Sequence, residues 1–239
     1  MRYTDEIDHR SHPHNLKPED SKVLFRCNGC KEDGIGLCYR CDQCKFDLHF
    51  HCAITSERMS HPCYPNCSFQ FKSKPPKGKL RQCNACGKDV NGFFYRCQEK
   101  KGVYLHPCCA KLPKHLDGGE VKLSLWMAVS TPCHKCEKKR NSWIYRSSCK
   151  GYTLHVACWR EMLVESWWKG RGGTTSGVPT GVPCLKDRPQ TPHKMSKSKS
   201  KKKKWCEMLR LALQFLISAV LGDPTTFIAG VFVSLMSRA

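Results

Sequence analysis

Cysteine and histidine residues recur along the chain at spacings that suit metal binding. A C-x-x-C pair recurs along the chain at Cys27/Cys30, Cys83/Cys86 and Cys133/Cys136. Downstream of each pair, an H-x-x-C pattern follows a leucine, at His49/Cys52, His106/Cys109 and His155/Cys158. A C-x-x-C turn presents two thiolates to one ion, and H-x-x-C supplies the opposing pair of ligands. The residues therefore predict tetrahedral zinc sites.

The segments that must position these ligands also recur. Each H-x-x-C closes a stretch that begins with Tyr-Arg, in the sequences CYRCDQCKFDLHFHCA from Cys38, FYRCQEKKGVYLHPCCA from Phe94 and IYRSSCKGYTLHVACW from Ile144. Three recurrences at roughly 50-residue spacing predict three modules in tandem. The first copy holds eight candidate ligands, enough for two tetrahedral zinc ions. They are His14, Cys27, Cys30, Cys41, Cys44, His49, Cys52 and His61.

Composition favours metal over a large apolar core as the source of stability. The 239 residues include 19 cysteines and 11 histidines, and cysteine supplies part of the 40% apolar content. Structural zinc contributes about 10–16 kcal/mol per site, which would replace the missing core. Three Cys3His sites carry −1 each once zinc is bound and a Cys2His2 site is neutral, so four ions lower the formal charge of +21 to about +18.

The first ten residues, MRYTDEIDHR, contain no apolar run, so we expect no secretory signal peptide. A reducing compartment favours metal ligands over disulfides. The expected location is the cytoplasm, with membrane association or the nucleus as further options, and not the secretory pathway.

These patterns resemble the plant DC1 modules, which are cysteine/histidine-rich, divergent relatives of the C1 zinc fingers of protein kinase C. The resemblance covers residues 9 to 165 in three copies. It implies small zinc-stabilised modules, each with short β-hairpins, a short helix and little hydrophobic core. It also implies interleaved sites in the first copy, one of Cys27, Cys30, His49 and Cys52, the other of His14, Cys41, Cys44 and His61. Cys63 is an alternative to His61, and His12 to His14.

The second and third copies depart from this family pattern. The first type of site persists as Cys83, Cys86, His106 and Cys109, and as Cys133, Cys136, His155 and Cys158. The second type of site, that of Cys41 and Cys44 in the first copy, is incomplete in the later copies. Lys100, Ser147 and Lys150 stand where cysteines are expected. Its remaining candidate ligands are Cys97, and with less support Cys67, His115 and Cys149. We therefore expect about four zinc ions per chain, two of them in the first module, with one or two marginal sites.

Closed zinc sites leave no position for a catalytic water, and no nucleophile elbow, P-loop or dinucleotide motif is present. The prediction is a non-catalytic interaction or adaptor protein that binds protein partners, with no small-molecule substrate. The resemblance suggests plant signalling or stress response. Three alternatives stay open: a thiol-based redox protein, a PHD- or RING-like chromatin or ubiquitin-linked finger, and a C1 protein that responds to diacylglycerol.

The predicted boundaries are module 1 at 9–62, module 2 at 63–117, module 3 at 118–168, a flexible linker at 169–195, a polybasic segment at 196–204 and an apolar helical tail at 205–239. Neither apolar run of the tail reaches the length of a spanning helix. We expect an anchor on anionic membrane surfaces. The alternative is that the two apolar runs pack on each other or on a partner, while the lysines are a nuclear localisation signal or a nonspecific nucleic-acid patch.

Overall fold

A computed structural model describes residues 5–78, 80–117, 122–127 and 131–169. Within these ranges the chain forms three antiparallel sheets, one after another along the sequence. The linker, the polybasic segment and the apolar tail predicted after residue 169 lie outside the described residues. The described part confirms the predicted fold class of small β modules with short helices.

The first sheet has the strand order β1-β2-β3. Its strands are β1 (Lys17–Arg26), β2 (Asp33–Arg40) and β3 (Asp47–His49), and the short helix α1 (Phe50–Ala53) follows at once. Arg40 pairs with Asp47 on β3 at 2.6 Å and with Glu19 on β1. This arginine of the Tyr-Arg pair therefore ties all three strands together.

The second and third sheets repeat this arrangement with one additional strand each. The second contains β4 (Arg58–His61), β5 (Tyr64–Lys72), β6 (Phe94–Cys97) and β7 (Tyr104–Leu105), followed by α2 (Pro107–Ala110). The third contains β8 (His115–Asp117), β9 (Lys122–Trp126), β10 (Ile144–Ser147) and β11 (Thr153–His155), followed by α3 (Val156–Lys169). By position, β1, β5 and β9 are equivalent strands, as are β2, β6 and β10.

Strand pairing places the module boundaries earlier than the sequence suggests. β4 belongs to the second sheet and β8 to the third, so residues 58–61 and 115–117 open modules rather than close them. Two buried tyrosines fix these entry segments. The Tyr95 hydroxyl donates to the Ser56 carbonyl at 3.0 Å, and the Tyr145 hydroxyl donates to the Pro113 carbonyl at 2.7 Å. The Tyr-Arg strand of a module therefore holds the start of that same module.

The modules pack against one another through a repeated backbone contact. The Phe93 amide of module 2 donates to the Gly29 carbonyl of module 1 at 2.8 Å, and the Trp143 amide of module 3 donates to the Ala85 carbonyl of module 2 at 2.9 Å. Phe93 and Trp143 are buried at these contacts, so the apolar clusters of the modules join into one. The three modules thus pack against one another and are not separate units.

Gly29 and Gly92 are required by this close approach. A Cβ on Gly29 would lie 2.5 Å from Cδ2 of Phe93, and a Cβ on Gly92 would overlap the Gly29 carbonyl oxygen. Any side chain at either position would push modules 1 and 2 apart. Among the described residues, no helix has the length and apolar character needed to cross a membrane.

Candidate metal centres

Each C-x-x-C pair lies in a tight turn closed by the same two backbone hydrogen bonds. In module 1 the Cys27 amide donates to the Glu32 carbonyl, and the Lys31 amide donates to the Cys27 carbonyl, both at 3.0 Å. Equivalent bonds close the turns at Cys83 and Cys133. The residue after the second cysteine has a positive φ in all three modules, at Lys31, Gly87 and Glu137. This left-handed residue turns the chain back toward the first cysteine, so both thiols face the same side.

The residue after the first cysteine fixes the turn to the neighbouring strand. The Asn28 side-chain oxygen accepts from the Asp47 amide at 2.8 Å, and that of Asn84 accepts from the Tyr104 amide at 2.7 Å. In module 3, His134 Nδ1 accepts from the Thr153 amide at 3.0 Å. His134 therefore has a structural role that the sequence did not reveal, as the functional equivalent of asparagine.

The H-x-x-C pair is positioned by the junction between a strand and a helix. His49 and His155 are the last residues of β3 and β11, and His106 directly follows β7. The cysteine of each pair lies on the third residue of the helix that follows. In the first two modules the histidine Nε2 donates to a backbone carbonyl, of Asp33 at 3.2 Å and of Asp89 at 3.1 Å. This bond leaves Nδ1 as the lone-pair donor that faces the thiols.

The ligand atoms of each set meet at one point. In all three modules the four side chains place their donor atoms within 4.8 Å of one another. Nδ1 to Sγ distances are 3.3 Å for His49 and Cys30, 3.4 Å for His106 and Cys86, and 3.4 Å for His155 and Cys136. A tetrahedral zinc, with bonds of about 2.3 Å to sulfur and 2.0–2.1 Å to nitrogen, separates such atoms by about 3.6 Å. We name these sets the central clusters.

Electrostatics in the central clusters favour thiolates beside a cation. Hydrogen bonding from Cys158 is the largest cause that lowers the pKa of Cys133, to about 4. Burial acts to lower the pKa of His106, but the neighbouring Cys83 and Cys86 thiolates raise it overall, to about 12. One thiol in each central cluster has a lowered pKa, at Cys27, Cys86 and Cys133, and a divalent ion would add positive charge beside it.

A fourth complete set lies at the edge of module 1 and includes a different ligand from the one predicted. His12, His14, Cys41 and Cys44 bring their donor atoms within 4.8 Å. His14 Nδ1 is 3.6 Å from Cys41 Sγ, and His12 Nε2 is 3.1 Å from Cys44 Sγ. His12 thus joins His14 and does not replace it. We name this set the module 1 edge cluster.

His61 and its alternative Cys63 do not reach the module 1 edge cluster, so this part of the predicted ligand set is corrected. The hairpin of β4 and β5 carries both residues into the second sheet. His61 is buried, its Nε2 lies 3.2 Å from the Leu112 carbonyl, and its ring packs on Trp143 at 4.7 Å between centroids. The Cys63 amide donates to His61 Nδ1. Strand pairing, which the spacing alone does not show, decides this outcome.

The equivalent edge of module 2 brings together Cys67 and Cys97, with Glu99 as the third group. His115, which the sequence offered as a candidate ligand here, lies in β8 of module 3 and contacts Ser124 at 3.2 Å. It is therefore not part of this set. Glu99 gave no signal in the sequence, because an exposed acidic residue next to a cysteine is common.

The equivalent edge of module 3 holds no ligand cluster within the part of the chain that the structure describes. Ser147 occupies the position of Cys41 and Cys97, and its Oγ lies 3.2 Å from Sγ of the exposed Cys149. Cys149 is therefore paired with a hydroxyl and not with other metal ligands.

Two further residues near the central clusters were not recognised from the sequence. Cys108 of module 2 is buried, and the neighbouring Cys52 and His49 of module 1 lower the pKa of its thiol. Arg160 on α3 of module 3 lies 4.0 Å from Cys109 Sγ of module 2 and also 4.0 Å from Glu32 of module 1. Because these contacts cross module boundaries, no local pattern in the sequence could indicate them.

Comparison with protein families supports this interpretation for the first module. Residues 10–53 match the family model of the C1 domain, and this range includes the first central cluster and the module 1 edge cluster. Comparison of the chain with curated proteins and with solved structures finds no match. The resemblance to C1-type zinc fingers is therefore confirmed, and the Cys/His clusters of the later modules are consistent with it.

Proposed function

We propose that this protein is a non-catalytic adaptor whose three C1-type modules are held folded by four structural zinc ions. The observation that carries the proposal is the presence of four closed sets of four Cys/His donors. Four protein ligands complete the tetrahedral shell of zinc and leave no position for a reactive water. The bound ion then serves the fold and not a reaction.

Burial supports the structural role of the metal. Nearly all ligands of the three central clusters are buried, and the turns of the first two clusters also contact the next module. Without a cation, these thiols and imidazoles would be packed together with unfavourable desolvation of their charged forms. Zinc binding at about 10–16 kcal/mol per site offsets this cost and adds to the free energy of folding.

Zinc content and circular dichroism of the purified full chain test this part of the proposal. We expect about four tightly held equivalents, loss of the β signal on chelation, and recovery when zinc is restored. Two or fewer equivalents, with structure retained after chelation, would overturn it. A redox dithiol would instead pass through cycles of oxidation and reduction without losing metal, so air oxidation of the zinc-loaded chain separates these functions.

The adaptor role rests on the surface that the closed metal sites leave available. The described surface exposes large apolar side chains, including Trp126 and Met127. Protein partners are the proposed ligands, in the cytoplasm and in a signalling setting. Affinity capture with the zinc-loaded chain and with a Cys133→Ser/Cys136→Ser variant tests this role. We expect partners that are lost with the third central cluster, and equal capture by both chains would contradict it.

A second proposed activity is attachment to anionic membrane surfaces through residues 196–239, which lie outside the described residues. It rests on the lysine-rich sequence SKSKSKKKK at 196–204 and the apolar runs that follow. Lysines near a membrane surface contribute about 1 kcal/mol each. Flotation with anionic vesicles, with a chain that ends at residue 195 as the control, tests it. No flotation of the full chain would reject the anchor.

A further inference from the structure

We propose that Cys67, Cys97 and Glu99 form a fifth metal site, for a divalent ion such as zinc, with one coordination position open to an external ligand. The two thiols are buried and the carboxylate is exposed. All three ligand atoms lie within 4.8 Å of one another. This set, the module 2 edge cluster, differs from the four closed sets because it supplies only three donors.

Strand register shows that the module 2 edge cluster is equivalent to the module 1 edge cluster. Arg40 pairs with Lys17, so Cys41 stands opposite Leu16, and His14 lies two residues before Leu16. In module 2, Cys97 pairs with Phe69, and Cys67 lies two residues before Phe69. Cys67 therefore occupies the position of His14, and Cys97 that of Cys41.

The third donor has moved by one residue along the turn. Lys100 stands where Cys44 stands in module 1, and Glu99 precedes it. The Glu99 carboxylate is not a loose surface group, because its Oε2 accepts from the Ser68 amide at 2.8 Å and lies 3.4 Å from Cys97 Sγ. Two contacts thus hold this oxygen beside the thiol pair, where it can replace the lost cysteine sulfur.

The surroundings match those of a metal-bound thiolate. The Lys100 amide donates to Cys97 Sγ at 3.2 Å, as the Gln43 amide does to Cys41 Sγ at 3.3 Å in module 1. Two thiolates and a carboxylate with a divalent ion carry a net charge of −1. The Lys100 ammonium, 5.8 Å from the Tyr64 ring centre, acts to lower the pKa of the Cys67 thiol and so offsets part of that charge.

The fourth position of the module 1 edge cluster is filled by His12, two residues before His14. The equivalent residue in module 2, two residues before Cys67, is Pro65, which has no donor atom in its side chain. A tetrahedral ion held by three protein ligands binds water or an added ligand at its fourth position. The external ligand is therefore a small donor such as a thiolate, an imidazole or an inorganic anion.

Cobalt substitution in the full chain tests this site, because Co2+ accepts the same donors as zinc and has ligand-field bands that report its coordination. We expect about five equivalents in the full chain and about four in Cys67→Ser and in Cys97→Ser. Cys63→Ser is the matched control, since Cys63 lies in the same hairpin outside the cluster and should leave the count unchanged. Four equivalents in all of these chains would overturn the site.

Azide is the probe for the open position. We expect it to change the cobalt bands of the full chain and of Cys63→Ser, but not those of Cys97→Ser, because closed sites do not accept an added ligand. Glu99→Gln keeps the size of the side chain and should weaken the fifth equivalent at least about tenfold. Five equivalents without any response to azide would overturn the open position. Two or fewer equivalents in the full chain would count against the proposed function as well, so the two failures are distinguishable.

Discussion

The central clusters and the edge clusters differ in where they lie relative to the module contacts. The turns of the first two central clusters accept hydrogen bonds from the next module, through the carbonyls of Gly29 and Ala85. The edge clusters lie within a single module and include exposed groups, such as Cys44 and Glu99. A lost central ligand would disturb two modules, whereas a lost edge ligand disturbs one turn.

The two classes of cluster also differ in how many donors each repeat keeps. All three modules have a complete central cluster. At the edge, module 1 has four donors and module 2 has three, while Ser147 takes the position of the first cysteine in module 3. Ser147 nevertheless keeps a role in the turn, because its Oγ accepts from the Tyr152 amide at 3.0 Å. An edge turn therefore holds without metal when a hydroxyl closes it.

The largest expected effect separates the two classes of site. Cys86→Ser removes one thiolate from the buried central cluster of module 2 and should release its zinc. Because the binding free energy of a structural zinc, about 10–16 kcal/mol, is also folding free energy, we expect module 2 to unfold and its contacts with both neighbours to be lost. Zinc content and circular dichroism of the purified variant measure this.

Cys44→Ser is the contrasting variant at the edge of module 1. It should release one zinc equivalent while the three central clusters, and most of the β signal, remain. Equal structural loss in Cys86→Ser and Cys44→Ser would show that the central and edge sites do not differ in their support of the fold.

The next effect concerns the backbone contact between modules 1 and 2. Gly92→Ala would place a methyl group against the Gly29 carbonyl oxygen and force Phe93 away from its hydrogen bond. We expect a loss of about 1–3 kcal/mol in the free energy of unfolding, measured by denaturant titration.

Ser142 is the matched position at the contact between modules 2 and 3. It already carries a side chain, and its buried hydroxyl has no hydrogen-bond partner among the described residues. Ser142→Ala should therefore leave stability unchanged or raise it by up to about 1 kcal/mol. A comparable loss of unfolding free energy in Gly92→Ala and Ser142→Ala would contradict the idea that modules 1 and 2 need a close backbone approach at Gly92.

A smaller loss of unfolding free energy is expected when Arg160, which contacts residues of all three modules, is replaced. The Arg160 guanidinium donates to the Asp33 carbonyl at 3.4 Å and lies 4.0 Å from the Glu32 carboxylate, which also pairs with Lys88 at 3.2 Å. Arg160→Met keeps the length of the side chain and removes these polar contacts. We expect a cost of about 1.5 kcal/mol in the free energy of unfolding.

A double-mutant cycle of Arg160→Met with Glu32→Gln isolates the interaction between modules 1 and 3. Additive losses in the two single variants would show that the Arg160 guanidinium and the Glu32 carboxylate do not interact. The zinc content should stay at its full value in all three chains, since neither residue is a ligand.

The smallest expected effect sharpens the comparison among the central clusters. Since His134 Nδ1 accepts the same backbone hydrogen bond that Asn28 and Asn84 accept, His134→Asn should keep the stability of module 3. His134→Ala loses the acceptor and should cost about 1 kcal/mol, measured by thermal unfolding. Equal losses of thermal stability in His134→Asn and His134→Ala would mean that the imidazole ring itself is needed, and not only its hydrogen-bond acceptor.

The ligands of the central clusters could be predicted from the spacing of cysteine and histidine residues alone. C-x-x-C and H-x-x-C are local patterns, and each is organised by a turn or by a strand end within a few residues. The cysteine pairs and the H-x-x-C pairs therefore meet wherever the strand between them has the right length, as in all three modules here. Tyr39, Tyr95 and Tyr145, the tyrosines of the three Tyr-Arg pairs, are all buried.

The ligands of the edge clusters were predicted less accurately from the sequence, because they come from separate segments of the chain. His61 was a reasonable candidate by spacing, but the β4–β5 pairing takes it into the next module. Glu99 becomes a candidate ligand only when the Ser68 amide and the Cys97 thiol are seen beside it. Residues far apart in sequence meet according to strand register, and a one-residue change of register reverses which side chains share a face.

The sequence by itself determined the repeat, the ligand types and the central sets, because thiol and imidazole chemistry and short turns act over a few residues. Only the tertiary structure decided how the modules pack, since that depends on the close approach of Gly29 and Gly92 and on contacts such as Arg160 with Glu32. It also decided that His12 and not His61 completes the module 1 edge cluster. Local spacing fixes which groups bind the same ion, but long-range packing fixes which segments come within its reach.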